Sequence, residues 1–194
     1  MPYQPPPELA ELTLSQIAEQ VAMRKLPPVE EWAPEKIGDS RMRIAADGTW
    51  FHDGSVIKRD AMVRAFSSLL IRDADGSHHL VSPFEKLSIE VEDAAFIATD
   101  VALCSDPDGG PDGGPQEGGL GFRLNTDELI IAGPGHPLVA RGEPDTPALY
   151  LHVRRGCEAR LNRSTYQQLA DISLSQTDDW TVTSLGERFS LLPV

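Results

Sequence analysis

Cysteine is nearly missing from this chain. Cys104 and Cys157 are the only two, and they form no CxxC or other ligand spacing. That argues against a disulfide-built scaffold and a zinc ribbon, and reads as two reduced thiols in a cytoplasmic protein. Basic residues are scarce as well: 17 Lys and Arg stand against 30 Asp and Glu, a formal net charge of -13. A chain of that charge repels phosphate backbones, so nucleic acid is not an expected partner. No apolar run approaches membrane-spanning length, and the first 23 residues hold no Lys or Arg. Neither a signal peptide nor a membrane span is therefore expected. HExxH and GxSxG are both absent, and no Gly-rich loop joins a strand to a helix as a phosphate cradle. What remains is 194 residues, 40% of them apolar, enough to bury a core without staples.

The most telling stretch that is present runs from Gly48 to Leu70, GTWFHDGSVIKRDAMVRAFSSLL. It reads as a short strand, an Asp53-Gly54 turn, a return strand and an amphipathic helix capped by Asp60, with Val63, Phe66 and Leu70 on its face. The order recurs from Leu149 to Ile172, LYLHVRRGCEARLNRSTYQQLADI. There Gly156, Arg160 and Asn162 repeat the spacing of Gly54, Lys58 and Asp60, and Gly54 is expected to superpose on Gly156. The fold class expected is α+β: two packed lobes of mostly antiparallel strands, each with a repeated hairpin-helix motif.

Residues 1–40 read as a Pro-rich tail, a helix opened by a Thr13/Gln16 capping box and ended by Pro27-Pro28, and a connection anchored by Trp32. Residues 41–93 read as an N-terminal lobe and 94–194 as a C-terminal one. Within the latter, residues 105–119 hold six Gly and three Pro and read as a mobile loop. Strands are expected at 78–82, 88–103, 120–124, 128–132 and 149–153, with a closing hairpin after Trp180 turned by Leu185-Gly186.

Little of this pattern carries chemistry. His78 and His79 point to opposite strand faces and cannot share a metal. Asp73-x-Asp75-Gly76 opens like a calcium loop but lacks the remaining ligands, and turn chemistry explains it. Glu90 and Glu92 share a strand face, as alternation alone produces, and read as solvated. No cofactor and no metal site is expected. The polar set of most interest is Tyr150, His152, Arg154 and Arg160, placed with Glu158 on one face of the second hairpin. Arg forks beside an aromatic ring suit a carboxylate or phosphate. The plainer reading is an exposed face laced by an Arg–Glu pair, worth little.

Three pieces, GTWFHDGSVIKRDAMVRAFSSLL, LVSPFEKLSIEVEDAAF and ALYLHVRRGCEARLNRSTYQQLADI, resemble in their order the bacterial family of domain of unknown function 1285 (DUF1285). Where that family tends to carry Pro after Glu92-Asp93, this chain has Ala95, and the 105–119 stretch resembles an insertion. The resemblance implies two packed α+β lobes built on repeated motifs. It implies no known activity, cofactor or catalytic residue; a signalling or regulatory role has been suggested for the family. The function expected is thus a non-catalytic regulatory or interaction module binding a small anion or a protein partner. The alternative is a hydrolase or transferase with a carboxylate/His site in a cleft between the lobes.

Overall fold

The structure, a computed structural model, describes residues 11–23, 25–26, 28–104, 118–176 and 179–193. The expected N-terminal tail and the loop up to residue 117 lie outside the described residues. The chain divides into two units. One holds the residues up to Ala95 together with Arg155–Cys157, and the other holds Phe96–Arg154 and Glu158 onward.

In the first unit, helix α1 (Leu14–Ala22) starts where expected. The Gln16 N–H donates to Thr13 Oγ1 at 3.3 Å, and the Thr13 N–H donates to Gln16 Oε1 at 2.8 Å, so two orphan donors are satisfied reciprocally. Six strands follow around a second helix: β1 (Lys36–Ile44), β2 (Trp50–His52), β3 (Ser55–Val56), α2 (Asp60–Ser67), β4 (Leu70–Arg72), β5 (His78–Val81) and β6 (Glu85–Val91). The sheet order is β3-β2-β1-β6-β5-β4. Its pairs are antiparallel except β1 and β6, which run parallel.

Helix α2 departs from expectation at both ends. Arg59 is its N-cap and Asp60 its first helical residue. A carboxylate in the first turn still favours the helix through the macrodipole. The helix also stops before Leu70. The Ser67 and Ser68 hydroxyls donate back to the Arg64 and Ala65 carbonyls, and Leu70 leaves to pair with Leu80. Trp50 stacks on Phe66 at a centroid distance of 6.4 Å, and Ile44, Leu69, Leu70 and Leu80 are fully buried.

The second unit holds β7 (Phe96–Cys104), β8 (Gly119–Leu124), β9 (Leu129–Ile131), β10 (Leu138–Glu143), β11 (Thr146–Arg154), β12 (Cys157–Leu161), α3 (Arg163–Gln176), β13 (Thr181–Ser184) and β14 (Glu187–Ser190). Gly119, expected in the loop, opens β8 instead. The main sheet runs β10-β11-β12-β7-β8-β9, with β12 parallel to β7. Phe96, Leu120, Phe122, Leu149, Leu151 and Leu169 form its core. Buried Ser184 clips the β13-β14 ribbon on: its hydroxyl accepts from Leu120 N–H and donates to Ala132 O, both at 2.7 Å.

The fold is α+β, and each expected segment does contain a hairpin followed by a helix. Both turns, Asp53-Gly54 and Arg155-Gly156, take positive φ at both residues, the geometry favoured in two-residue hairpins. Yet the two hairpins occupy different places. In each sheet, two three-stranded meanders meet where the first strand of one lies parallel to the last strand of the other. Under that shared topology β11-β12 corresponds to β5-β6, whereas β2-β3 lies at the sheet's edge. Placing Gly54 on Gly156 therefore does not place one sheet on the other.

Candidate functional site

The first unit contains a hollow of 420 Å³, within the range typical of small-molecule sites. It is lined by Val29, Glu30, Trp32, Pro34, Ile71, Arg72, Val81, Lys86 and Arg155. A 3-10 turn over Val29–Glu31 brings in the first residues, and Trp32 closes that turn by donating its N–H to Val29 O at 3.2 Å. Ile71 and Arg72 come from β4, Val81 from β5 and Lys86 from β6. Val29, Trp32 and Val81 are buried, so the floor is apolar.

Three cations reach this floor. Arg155 arrives on the β11-β12 turn, held there by its backbone. Its carbonyl accepts the Arg72 N–H at 2.9 Å, and Gly156 sits so close that an added Cβ would lie 2.7 Å from the Arg72 carbonyl oxygen. The Arg155 side chain, 17% exposed, donates through Nε to Glu30 Oε1 at 2.5 Å and through Nη1 to Ser68 O at 2.8 Å. No described residue engages its Nη2. Lys86 Nζ donates to Asp73 Oδ2 at 2.6 Å and to no other described residue, leaving ammonium hydrogens to spare. Asp73 Oδ2 also lies 3.3 Å from His79 Nδ1, within ion-pair range but not aligned as a hydrogen bond. Arg72 completes the set, its Nε 3.4 Å from Gly76 O. Among the described residues, Arg72, Lys86 and Arg155 thus bring three cations to a hollow that Glu30 also lines, with Asp73 behind Lys86.

A second hollow of 500 Å³ lies at a bulge in β1, lined by Asp39, Arg41, Arg43, Phe51, Ser88 and Glu90 among others. Arg41 takes φ +54 there, braced by Asp39 and Ser40. Asp39 Oδ1 accepts the Arg41 N–H at 2.8 Å, and the Ser40 hydroxyl donates to Ser88 O at 2.7 Å. Its two guanidinium groups are committed, Arg41 to Asp53 and Arg43 to Glu92 and the Phe51 ring. Although larger, it offers an anion less than the Arg155 hollow does.

The residues singled out from sequence lie elsewhere. Tyr150, on β11, is buried, with the Arg141 guanidinium 4.5 Å from its ring centroid. His152, half-buried on the same strand, has Nδ1 3.3 Å from Gly135 O and the His136 ring beside it at 6.2 Å. Arg154 donates to Glu128 at 2.5 Å and lies 4.9 Å from the centroid of the buried Phe96 ring. Arg160, half-buried on β12, pairs by backbone with Ile97 of β7. Glu158 takes a two-pronged grip from Arg141, at 2.6 and 2.8 Å. Tyr150 and Arg154 are thus each covered by an ionic partner from another strand or turn. Arg141 and Glu128 went unnoticed because each lies on a different strand or turn in sequence, with no shared motif to mark it. The hollow in the first unit was missed for the same reason, its lining being drawn from separate segments. Trp32 alone carried a signal, as an isolated aromatic among prolines.

Elsewhere, turn chemistry accounts for the acidic residues that look most distinctive. The Thr49 backbone N–H holds Asp47 below its ordinary pKa of 3.8, and the Ser77 hydroxyl, followed by its N–H, does the same for Asp75. Glu92 accepts from Arg43 and from the Ala46 N–H at 2.9 Å, so it is no free partner for Glu90. No group of three or more His, Cys, Asp or Glu able to hold a metal occurs among the described residues. No helix among them is long and apolar enough to cross a membrane.

Comparison with known proteins gives the chain relatives. No curated protein matches it. It is similar to a crystallised DUF1285 family protein from Silicibacter pomeroyi DSS-3, at 39% identity over 87% of this chain and 88% of that one, with a TM-score of 0.72. It also shares a fold with a DUF1285 family protein from Shewanella baltica OS155, at 22% identity over 67% of this chain and 90% of that one, with a TM-score of 0.50. Residues 27–94 match the N-terminal domain of the domain of unknown function DUF1285, and residues 95–191 match its C-terminal domain. The chain belongs to the DUF1285 family.

Proposed function

We propose that this protein is a non-catalytic binding module of regulatory type, and that its first unit holds a small organic anion in the hollow beside Trp32. The observation that carries this reading is the union, in one 420 Å³ space, of an apolar floor with cationic donors that the protein leaves unspent on Arg155 and Lys86. An apolar body is driven out of water onto Val29, Trp32 and Val81. A carboxylate head gains charge-assisted hydrogen bonds from a guanidinium already fixed in place by Glu30 and Ser68, so little ordering remains to oppose binding.

The competing reading is a hydrolase or transferase. It asks for a carboxylate or imidazole free to move a proton, whereas Glu30 and Asp73 at this hollow are each bound by a cation. The binding reading needs no such group.

A thermal-shift screen of small monocarboxylates, inorganic phosphate and divalent metals tests it. A ligand that binds only the folded state raises the melting temperature, and saturation at about a hundredfold over the dissociation constant contributes roughly 2.7 kcal/mol. The expected result is a rise of about 5 °C or more with apolar monocarboxylates, lost in Lys86→Gln and in Arg155→Lys. Failure of every carboxylate to shift the wild-type protein, or shifts unchanged in both variants, contradicts the proposal.

A further inference from the structure

His79 stands beside the hollow without lining it. It pairs with Ile71 of β4 on one side and Ser88 of β6 on the other, and Val81 follows two residues later. Its side chain therefore shares the sheet face that carries Ile71, Val81 and Lys86, all of which line the hollow. That side chain is 15% exposed, and its Nδ1 is buried with no hydrogen-bond partner. A buried, unpaired ring nitrogen is costly and calls for an explanation. Asp73 supplies one. Its Oδ2 lies 3.3 Å from His79 Nδ1 and 2.6 Å from Lys86 Nζ, so one carboxylate oxygen stands between the imidazole and a cation of the hollow. The other charged groups around the ring are acidic. Asp75, in the β4-β5 turn, feels the charge of His79, while Asp39 and Glu90 lie farther out on the same face, past Ser88. Glu30, Arg72 and Arg155 complete the ionised groups at the hollow.

Resting on the reading of this hollow as an anion site, we infer that His79 makes it responsive to pH: protonation of His79 strengthens anion binding by drawing Asp73 away from Lys86. Imidazole is the side chain that changes charge between pH 5 and 8. With its single proton on Nε2, the neutral ring offers Asp73 no donor, and Asp73 offsets the Lys86 charge. A second proton on Nδ1 gives the ring an N–H to donate to Asp73. The Lys86 ammonium is then freed toward the hollow, and one positive charge is added near the head of the ligand. Affinity is thus higher below the titration of His79 and lower above it. The coupling is mutual, so an anion in the hollow also favours the protonated ring.

Benzoate is the probe, because it stays ionised from about pH 5.5 to pH 8, the range in which imidazole titrates. Its affinity for the full chain is measured by calorimetry across that range at fixed ionic strength. The ring signals of the five histidines are followed by NMR with and without benzoate, His79 being assigned through its own backbone. The expected result is binding about fivefold tighter at the acid end. The midpoint of the His79 titration should rise with benzoate by the logarithm of that ratio. In His79→Gln the dependence should vanish while affinity at the alkaline end stays near wild type. His78→Gln, altered on the opposite strand face, should keep the dependence. Affinity that does not change with pH, or a dependence that survives His79→Gln, overturns this inference and leaves the anion site standing. Absence of binding across the whole range overturns both. Should His79→Gln fail to fold, the wild-type His79 titration decides, and a midpoint unmoved by benzoate overturns the inference.

Discussion

Asp75 accepts from both the hydroxyl and the backbone N–H of Ser77, at 2.6 and 2.9 Å, and those bonds hold its carboxyl below the ordinary value of 3.8. A carboxyl whose folded-state pKa is depressed contributes stability that is fully present above its unfolded pKa. That contribution fades as pH falls through the folded value. Melting wild type and Asp75→Asn from pH 7 to pH 2 should therefore show a gap in wild type's favour that closes below about pH 3.8. A gap constant across that range would show that the turn owes nothing to the charge. The same residue explains why Asp73-x-Asp75-Gly76 looks like a calcium loop in sequence and serves another purpose in structure. Asp75 is occupied by its own turn, and Asp73 is occupied by Lys86.

Hairpin turns show how position decides what a glycine is worth. Gly54 and Gly156 take nearly the same backbone conformation, φ +76 and +74. An added Cβ at Gly54 meets nothing within 4 Å, while at Gly156 it meets the Arg72 carbonyl oxygen at 2.7 Å. Gly54→Ala should then cost only the left-handed penalty, roughly 1–2 kcal/mol. Gly156→Ala should cost clearly more, since a backbone oxygen cannot move aside without breaking the Arg72 to Arg155 bond. Denaturant melts of the two variants check this, and equal losses would contradict it. Asp-Gly pairs, the capping box at Thr13 and the closing Leu185-Gly186 hairpin were all legible in the sequence, because local chemistry sets them. Strand β10 was not. It follows Gly133-Pro134-Gly135-His136-Pro137, which reads as loop, and its residues Val139, Arg141 and Glu143 show no apolar alternation to announce a strand. The end of α2 was not legible either, because pairing of Leu70 with Leu80 overrides the helical spacing of Leu70 with Val63 and Phe66. The echo between the two hairpins is present in sequence, but strand order, which no local pattern encodes, gives them unequal places.

Across the molecule, the -13 net charge describes the average and conceals a hollow lined by three cationic side chains. Arg72, Lys86 and Arg155 stand far apart along the chain, and Arg155 joins the first unit only because three residues of a later hairpin belong to it. No spacing rule reaches across such gaps, so reading the sequence gathered the contiguous set Tyr150, His152, Arg154 and Arg160 instead. Amide chemical-shift mapping of the whole chain titrated with a small apolar monocarboxylate separates the two places directly. The account predicts the largest shifts at Val29, Trp32, Ile71, Arg72, Val81, Lys86 and Arg155, saturating together with one dissociation constant. Shifts centred on Tyr150, His152, Arg154 and Arg160, or no saturable shift at all, would contradict it.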